Sequence, residues 1–346
     1  LPFLPIYNED GSYNMSYTGF PGTFTRNTLH STELNESLEK NNSLFGNLQV
    51  KYRILDHLSL KGLVGLDYRD ISARLYYDPR SIDGYQRKGI LTEYQFKPIT
   101  FTTSYVLQFD PQLKGKHQLN TLLGVEYRSF ENQSSNVTGE GFPNHLFQQM
   151  ASAATITSAS SSWTGFKRLG SFFQANYNYD SKYMASGIIR YDGSSRFGSG
   201  TKFGWFPAIS LGWDISREDF IANKSLINQL KLRIGYGETG NDQIGNFDSR
   251  SLYGGGVSYN GQAGIRANTL GNSKLRWERN VTLNLGLDYT LFRNKVFGAV
   301  EAYSRKSTDL LLSKPVAWAG GYNDIYQNLG EVVNQGLEFE VGSNWI

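Results

Sequence analysis

Apolar residues recur at every second position in about eleven separate segments of this chain, and no other feature limits its fold so narrowly. The segments fall near 43–54, 58–70, 96–110, 116–130, 168–179, 182–192, 203–214, 229–237, 276–290, 295–305 and 333–342. Successive side chains of a strand point to opposite faces, so each segment presents one apolar and one polar face. Several segments exceed the five or six residues usual for a globular strand. On one of them Tyr183, Ala185, Gly187, Ile189 and Tyr191 share a face, with Ser186 and Arg190 opposite. On the next, Trp205, Pro207, Ile209, Leu211 and Trp213 oppose Ala208, Ser210, Gly212 and Asp214. Later, Val281, Leu283, Leu285, Leu287 and Tyr289 oppose Thr282, Asn284, Gly286 and Asp288. The first two apolar faces begin and end with Tyr or Trp, a spacing of roughly 26 Å along a strand. That scale suits an apolar band held between two aromatic girdles, as in a membrane barrel.

Alternation alone does not separate a barrel from a soluble sandwich, which carries the same pattern with its apolar faces inward. The connections are more telling. Short turns are expected at 55–57, 111–115, 180–181 and 291–294, with a longer link at 215–228. Between them lie the polar segments 71–95, 131–167, 193–202, 238–275 and 306–332. Short and long alternate along the chain. Antiparallel neighbours then carry short turns at one end and long loops at the other, the asymmetry of an outer-membrane barrel with short periplasmic turns and long extracellular loops. The small polar run 151–162 reads as mobile loop, and 32–40 as a short exposed helix.

Composition agrees. Aromatic residues make up 14 %, with 22 Tyr and 21 Phe, against 19 % charged, a balance that favours strands over helices. The formal charge of +3 comes without any block of like charges, so nucleic acid is not expected as a partner. Cysteine is absent, which removes disulfides, thiolate metal sites and a Cys nucleophile together. No apolar run reaches the length of a membrane helix, and the mean hydropathy of −0.43 agrees; barrel strands escape that test. The opening Leu1-Pro2-Phe3-Leu4-Pro5 lacks the basic start and cleavage site of a signal peptide.

Six segments together resemble the SusC/RagA family of TonB-dependent outer-membrane transporters. They are Tyr191-Asp192-Gly193-Ser194-Ser195-Arg196-Phe197-Gly198, the run 204–213, the run 230–241, Trp277-Glu278-Arg279, Thr308-Asp309-Leu310-Leu311-Leu312, and the run 328–338. The resemblance is specific over 191–338 and looser before it. It implies a 22-stranded barrel around an N-terminal plug. It also implies a SusD-like surface lipoprotein as lid, and glycan or peptide uptake driven through the TonB complex. On this reading all of 1–346 is barrel, about half of the full wall. The plug, the TonB-contact segment, a signal sequence and the terminal strands are not expected within the chain.

Other motifs are weaker. Gly235-Tyr236-Gly237-Glu238-Thr239-Gly240 fits a dinucleotide fingerprint, but a loop-like run follows where that fold needs a helix. His30, His57, His117 and His145 lack metal-ligand spacing. Glu126, Arg128, Lys61, Asp67, Arg69, Lys231, Arg233, Arg190, Glu301, Glu338 and Glu340 fall opposite the apolar faces, and in a barrel they line the lumen. Glu338 and Glu340 point the same way along one strand, which is not the facing pair of a retaining glycosidase. No catalytic residue, metal or cofactor is therefore expected. Trp163, Phe166, Tyr253, Tyr259, Trp318 and Tyr322, assigned to the long loops, are the candidates for contact with substrate or lid. The alternative class is a secreted β-rich carbohydrate-binding or adhesive module.

Overall fold

Strands dominate the computed structural model, which describes residues 5–14, 27–221 and 226–344. Leu1 to Leu4, the final Trp345 and Ile346, and 222–225 of the expected link lie outside the described residues. In chain order the strands are β1 (Glu36–Leu55), β2 (Leu58–Tyr77), β3 (Ile90–Phe109), β4 (His117–Glu140), β5 (Thr155–Tyr179), β6 (Tyr183–Ser194), β7 (Phe203–Asp214) and β8 (Ile227–Asn241). They continue with β9 (Leu252–Tyr259), β10 (Gln262–Thr269), β11 (Glu278–Leu291), β12 (Val296–Thr308), β13 (Leu311–Pro315), β14 (Asp324–Asn328) and β15 (Glu331–Ser343). Eleven form one sheet in the order β1-β2-β3-β4-β5-β6-β7-β8-β11-β12-β15, while β9–β10 and β13–β14 are separate hairpins. The eleven match the eleven alternating segments.

Three expectations are corrected. The run 151–162 is not a loop throughout, because β5 begins at Thr155. Its small hydroxyl side chains bond across strands instead: Ser134 and Ser162 lie 2.7 Å apart, and Thr157 Oγ1 donates to the Thr138 carbonyl at 3.3 Å. The helix is α1 (Thr28–Leu34), not 32–40; Lys40 belongs to β1. Asn27 caps its start by accepting from the His30 N–H, and Asn35 leaves it in extended conformation. Trp163 and Phe166 stand on β5 rather than in a loop.

The chain divides into two compact units, Leu1–Gly46 with Leu66–Thr100 and Phe130–Gly165, and Asn47–Gly65 with Phe101–Ser129 and Phe166–Ile346. The first has its own small core of Tyr76, Leu91 and Phe142, with Met150 and Ala153 packed against it. Below the ring of Tyr76 the chain turns at Asp78, whose buried carboxylate takes two N–H bonds from the Arg80 guanidinium, at 2.8 and 2.9 Å.

The second unit contains the short turns, and backbone hydrogen bonds link them one to the next. The donors and acceptors are Asp110 to His57, Asp180 to Lys116, Asp214 to Lys182, Phe292 to Leu226 and Asn344 to Lys295. These turns share one end of their strands; the loops 195–202, 242–277 and 309–330 leave from the other. The register aligns the faces row by row. Ala185 pairs with Leu211, Leu211 with Ile234, Ile234 with Leu285, Leu285 with Ala302 and Ala302 with Leu337. In this row Leu285 is 49 % exposed, so the apolar face is the open one and a sandwich core is ruled out. One step along, Ser186, Ser210, Gly235, Asn284 and Tyr303 form a polar row on the opposite face.

Aromatic girdles are built as cross-strand pairs. Tyr183 faces Trp213 at the turn end, and Tyr191 faces Trp205 at the loop end with ring centroids 4.4 Å apart. One carboxylate ties the turn-end pair: Glu218 accepts from Tyr183 Oη at 2.6 Å, Trp213 Nε1 at 2.9 Å and Lys182 Nζ at 3.0 Å. Led by the Tyr183 hydroxyl, then Trp213 and Lys182, these donors lower the Glu218 pKa from 4.5 to about 2. A depressed carboxylate stabilises fully above its unfolded pKa and loses that stabilisation as pH falls through the folded one. Protection of the Trp213 indole N–H against hydrogen exchange is therefore expected to hold at pH 5 and to decline as pH approaches 2. Glu218→Gln should lack the extra protection at every pH, and a parallel decline in both proteins would show that Glu218 is not the anchor.

Candidate substrate-facing surface

At the loop end of the second unit, three distant segments meet around one carboxylate. Asp242, 3 % exposed, accepts from both sides of the Arg168 guanidinium, with Nε at 2.9 Å. The Ser194 hydroxyl donates to the same carboxylate at 2.7 Å. Arg196 donates to the Asp242 carbonyl and to Asn246 Oδ1, each at 2.9 Å. The Phe166 ring lies against both guanidinium groups, 5.2 Å from Arg168 and 4.3 Å from Arg196. Burial, opposed by the pull of Asp242 and Asp248 and aided by the like charges of Arg168 and Arg128, holds the Arg196 pKa below its ordinary value.

Beside this polar knot packs an apolar one, Phe197, Phe206, Ile244, Leu275 and Trp277, joined by Leu311 and Tyr326. Trp277 Nε1 donates to the Lys202 carbonyl at 2.8 Å, so the indole is buried without an orphaned N–H. Gly198 is required where it stands, since a Cβ there would meet the Ser273 carbonyl oxygen at 1.9 Å. The bases of the two hairpin loops are stapled nearby: Arg276 pairs with Asp309 at 2.8 Å, and Asn328 Nδ2 donates to the carbonyls of Arg276 and Asp309.

Next to the knot, the polar face of β4, β5 and β6 opens into a recess of about 500 Å³ lined by Glu126, Arg128, Arg168, Arg190, Asp192 and Gln243, among others. Arg190 bridges Glu126 at 2.8 Å and Asp192 at 3.1 Å. Gly170 makes room for that bridge, because a Cβ would lie 2.3 Å from Asp192 Oδ1. A second recess, of about 600 Å³, is lined toward the turn end by Asn120, Asn176, Ser186, Ser210 and Asn284. On its wall Arg233 binds Asp288 through two 2.8 Å bonds and reaches Glu301 at 3.6 Å, with Glu338 directly across from Glu301. Part of the inward-charge pattern thus resolves into paired networks. Among the described residues no group of His, Asp or Glu could hold a metal. Gly235, Gly237 and Gly240 all lie within β8 with no helix after them, which removes the dinucleotide reading.

The candidate aromatics separate. Tyr253 and Tyr259 stand exposed on the β9–β10 hairpin, Tyr259 at 85 %, and Trp318 is 72 % exposed between β13 and β14, with Tyr322 half-buried beyond it. Trp163 is exposed on β5 in the first unit, and Phe166 is engaged by the two arginines in the second. The knot around Asp242 was not among the sequence candidates. Its signal was present in the resemblance itself, since segments 191–198, 204–213 and 277–279 all reach it or its apolar neighbour.

Comparison with known proteins fits this architecture. Residues 3–346 match the family model described as TonB dependent receptor-like, beta-barrel. A TonB-dependent receptor of Formosa agariphila is 30 % identical over 99 % of this chain and 33 % of its own length. The TonB-dependent receptor SusC of Bacteroides thetaiotaomicron is 27 % identical over 99 % of this chain and 36 % of its own. The solved RagAB peptide transporter superposes with a TM-score of 0.87 at 24 % identity, covering 96 % of this chain and 38 % of that one. The chain spans about a third of the length of the curated relatives it matches. These relatives are receptors and transporters, not enzymes, and the chain belongs to the TonB-dependent receptor-like β-barrel family.

Proposed function

We propose that the protein containing this chain is an outer-membrane importer of glycans or oligopeptides, with residues 1–346 forming barrel wall and outer loops. The observation that carries the reading is the two-faced register, an exposed apolar row through Leu211, Ile234 and Leu285 backed by a polar row through Ser210, Gly235 and Asn284. Such a wall satisfies the backbone of its inner strands within the sheet and offers lipid mainly apolar side chains. Substrate passes along the polar face. Energy for its release comes through TonB acting on a plug that the rest of the protein supplies, and a SusD-like lipoprotein closes the outer mouth.

The hairpin loops support a capture role. They present Tyr253, Tyr259 and Trp318 to solvent on well-braced stems, and exposed aromatics of this kind stack on sugar rings or pack against a partner. The RagAB relative is a peptide transporter, which keeps peptides beside glycans as cargo.

Topology tests the reading. Cysteines are placed singly at Gly320 and Asn294 of the full-length protein, within a segment, 1–346, that contains no native thiol. An impermeant maleimide added to intact cells is expected to label position 320 and to spare position 294. The reverse pattern, or recovery of the protein in the soluble fraction without detergent, would refute the proposal.

A further inference from the structure

The recess beside the Asp242 knot contains one cation, Arg128, that none of its carboxylates engages. Three guanidinium groups, Arg128, Arg168 and Arg190, line it with three carboxylates, Glu126, Asp192 and Asp242. Each carboxylate is engaged: Glu126 and Asp192 by Arg190, and Asp242 by Arg168 with Arg196 3.8 Å away. The Arg128 side chain has neither a hydrogen bond nor an ion pair among the described residues, and it is exposed in the recess. Two strands away on the same polar face, Arg190 is fixed by two carboxylates, so the recess neither collapses onto Arg128 nor offers it a spare partner. Thr102, Ser104, Asn241 and Gln243 complete the rim with neutral polar groups.

We propose that Arg128 and this recess form a binding subsite for a single oxyanion carried by the cargo. A free guanidinium presents a planar fork that matches a carboxylate or sulfate through two parallel N–H bonds. Neutral neighbours and pre-paired acids leave the fork as the unmet charge, so a passing molecule is held by its anionic group while neutral ones slide by. Two cargo sources carry that chemistry, the C-terminal carboxylate of a peptide and the carboxylate of an acidic sugar. The inference rests on the polar face being the transport path.

The test uses the full-length protein purified in detergent and sulfur-35-labelled inorganic sulfate in equilibrium dialysis at low ionic strength. Saturable binding is expected. Arg128→Gln is expected to weaken it ~10-fold or more, the loss typical of a charge-assisted hydrogen bond, while Arg128→Lys, which keeps the charge, loses only a few-fold. Displacement then identifies the source. Trialanine should compete if peptides are the cargo, and digalacturonate should compete if acidic glycans are; trialanine amide and the digalacturonate dimethyl ester should do neither. The proposal is overturned if sulfate does not saturate the wild-type protein, if Arg128→Gln binds as well as wild type, or if no carboxylate displaces sulfate. Surface labelling at position 320 in intact cells remains an independent check on the importer, so either reading can fail alone.

Discussion

Leu285→Arg is expected to destabilise the folded barrel by about 2–4 kcal/mol, and Asn284→Arg by no more than about 1 kcal/mol. The two positions are adjacent on β11 and differ in face. Leu285 stands at the centre of the apolar face that runs from Val281 to Tyr289, between Ile234 of β8 and Ala302 of β12. A guanidinium there must either enter hydrocarbon or drag water and headgroups inward. Asn284 faces the other way, donates to Glu301 Oε1 at 3.0 Å, and sits beside Gly235, above which a Cβ would meet nothing within 4 Å. An arginine at 284 trades that bond for a salt bridge with Glu301 in open space. Urea titrations of full-length protein refolded into vesicles would measure both. Equal costs would mean that the register places these side chains wrongly or that the apolar face does not meet lipid.

How much of this was legible in the sequence depends on where each strand meets lipid. Within the apolar band every strand must show one greasy face, so the period of two is forced, and all eleven strands were readable there. Beyond residue 130 in β4 and before residue 168 in β5 the alternation stops. Segments such as 131–140 and 155–167 therefore looked like loop although they are strand. The β9–β10 hairpin did carry its own sign, Asn260-Gly261, with both residues at positive φ as a tight two-residue turn demands. The stems of β13 and β14 carry no comparable dipeptide, and their five residues each are too short for a period to register.

Chemistry on the polar face was half legible. Glu126, Arg128, Arg190, Arg233 and Glu301 could be assigned to that face by parity alone. Their pairing could not, because partners such as Arg168 and Asp242 lie 74 residues apart and meet only through the sheet order. That Arg190 is doubly paired and Arg128 unpaired is likewise a property of register and not of spacing.

The same distance makes Asp242 the most consequential single polar side chain at the loop end. Asp242→Ala removes the acceptor for both faces of Arg168 and for Ser194, and it leaves Arg196, 14 % exposed, without its nearest opposite charge. Stranding paired charges in this way costs about 3 kcal/mol where the groups are largely buried. The cost falls locally, because the knot joins β5, the 195–202 loop and the start of the 242–277 loop, while the apolar row through Ile234 and Leu285 is made by other residues. Faster hydrogen exchange and proteolysis in 195–202 and 242–277 are therefore expected, with the barrel still resistant. Asp242→Asn keeps the shape and one acceptor but not the charge, so it should fall between. If Asp242→Ala left both loops as protected as before, the knot would not be what braces them. If it instead unfolded the barrel, loop and wall would have to be one cooperative unit, and the hairpins bearing Tyr253, Tyr259 and Trp318 could not move independently in substrate capture.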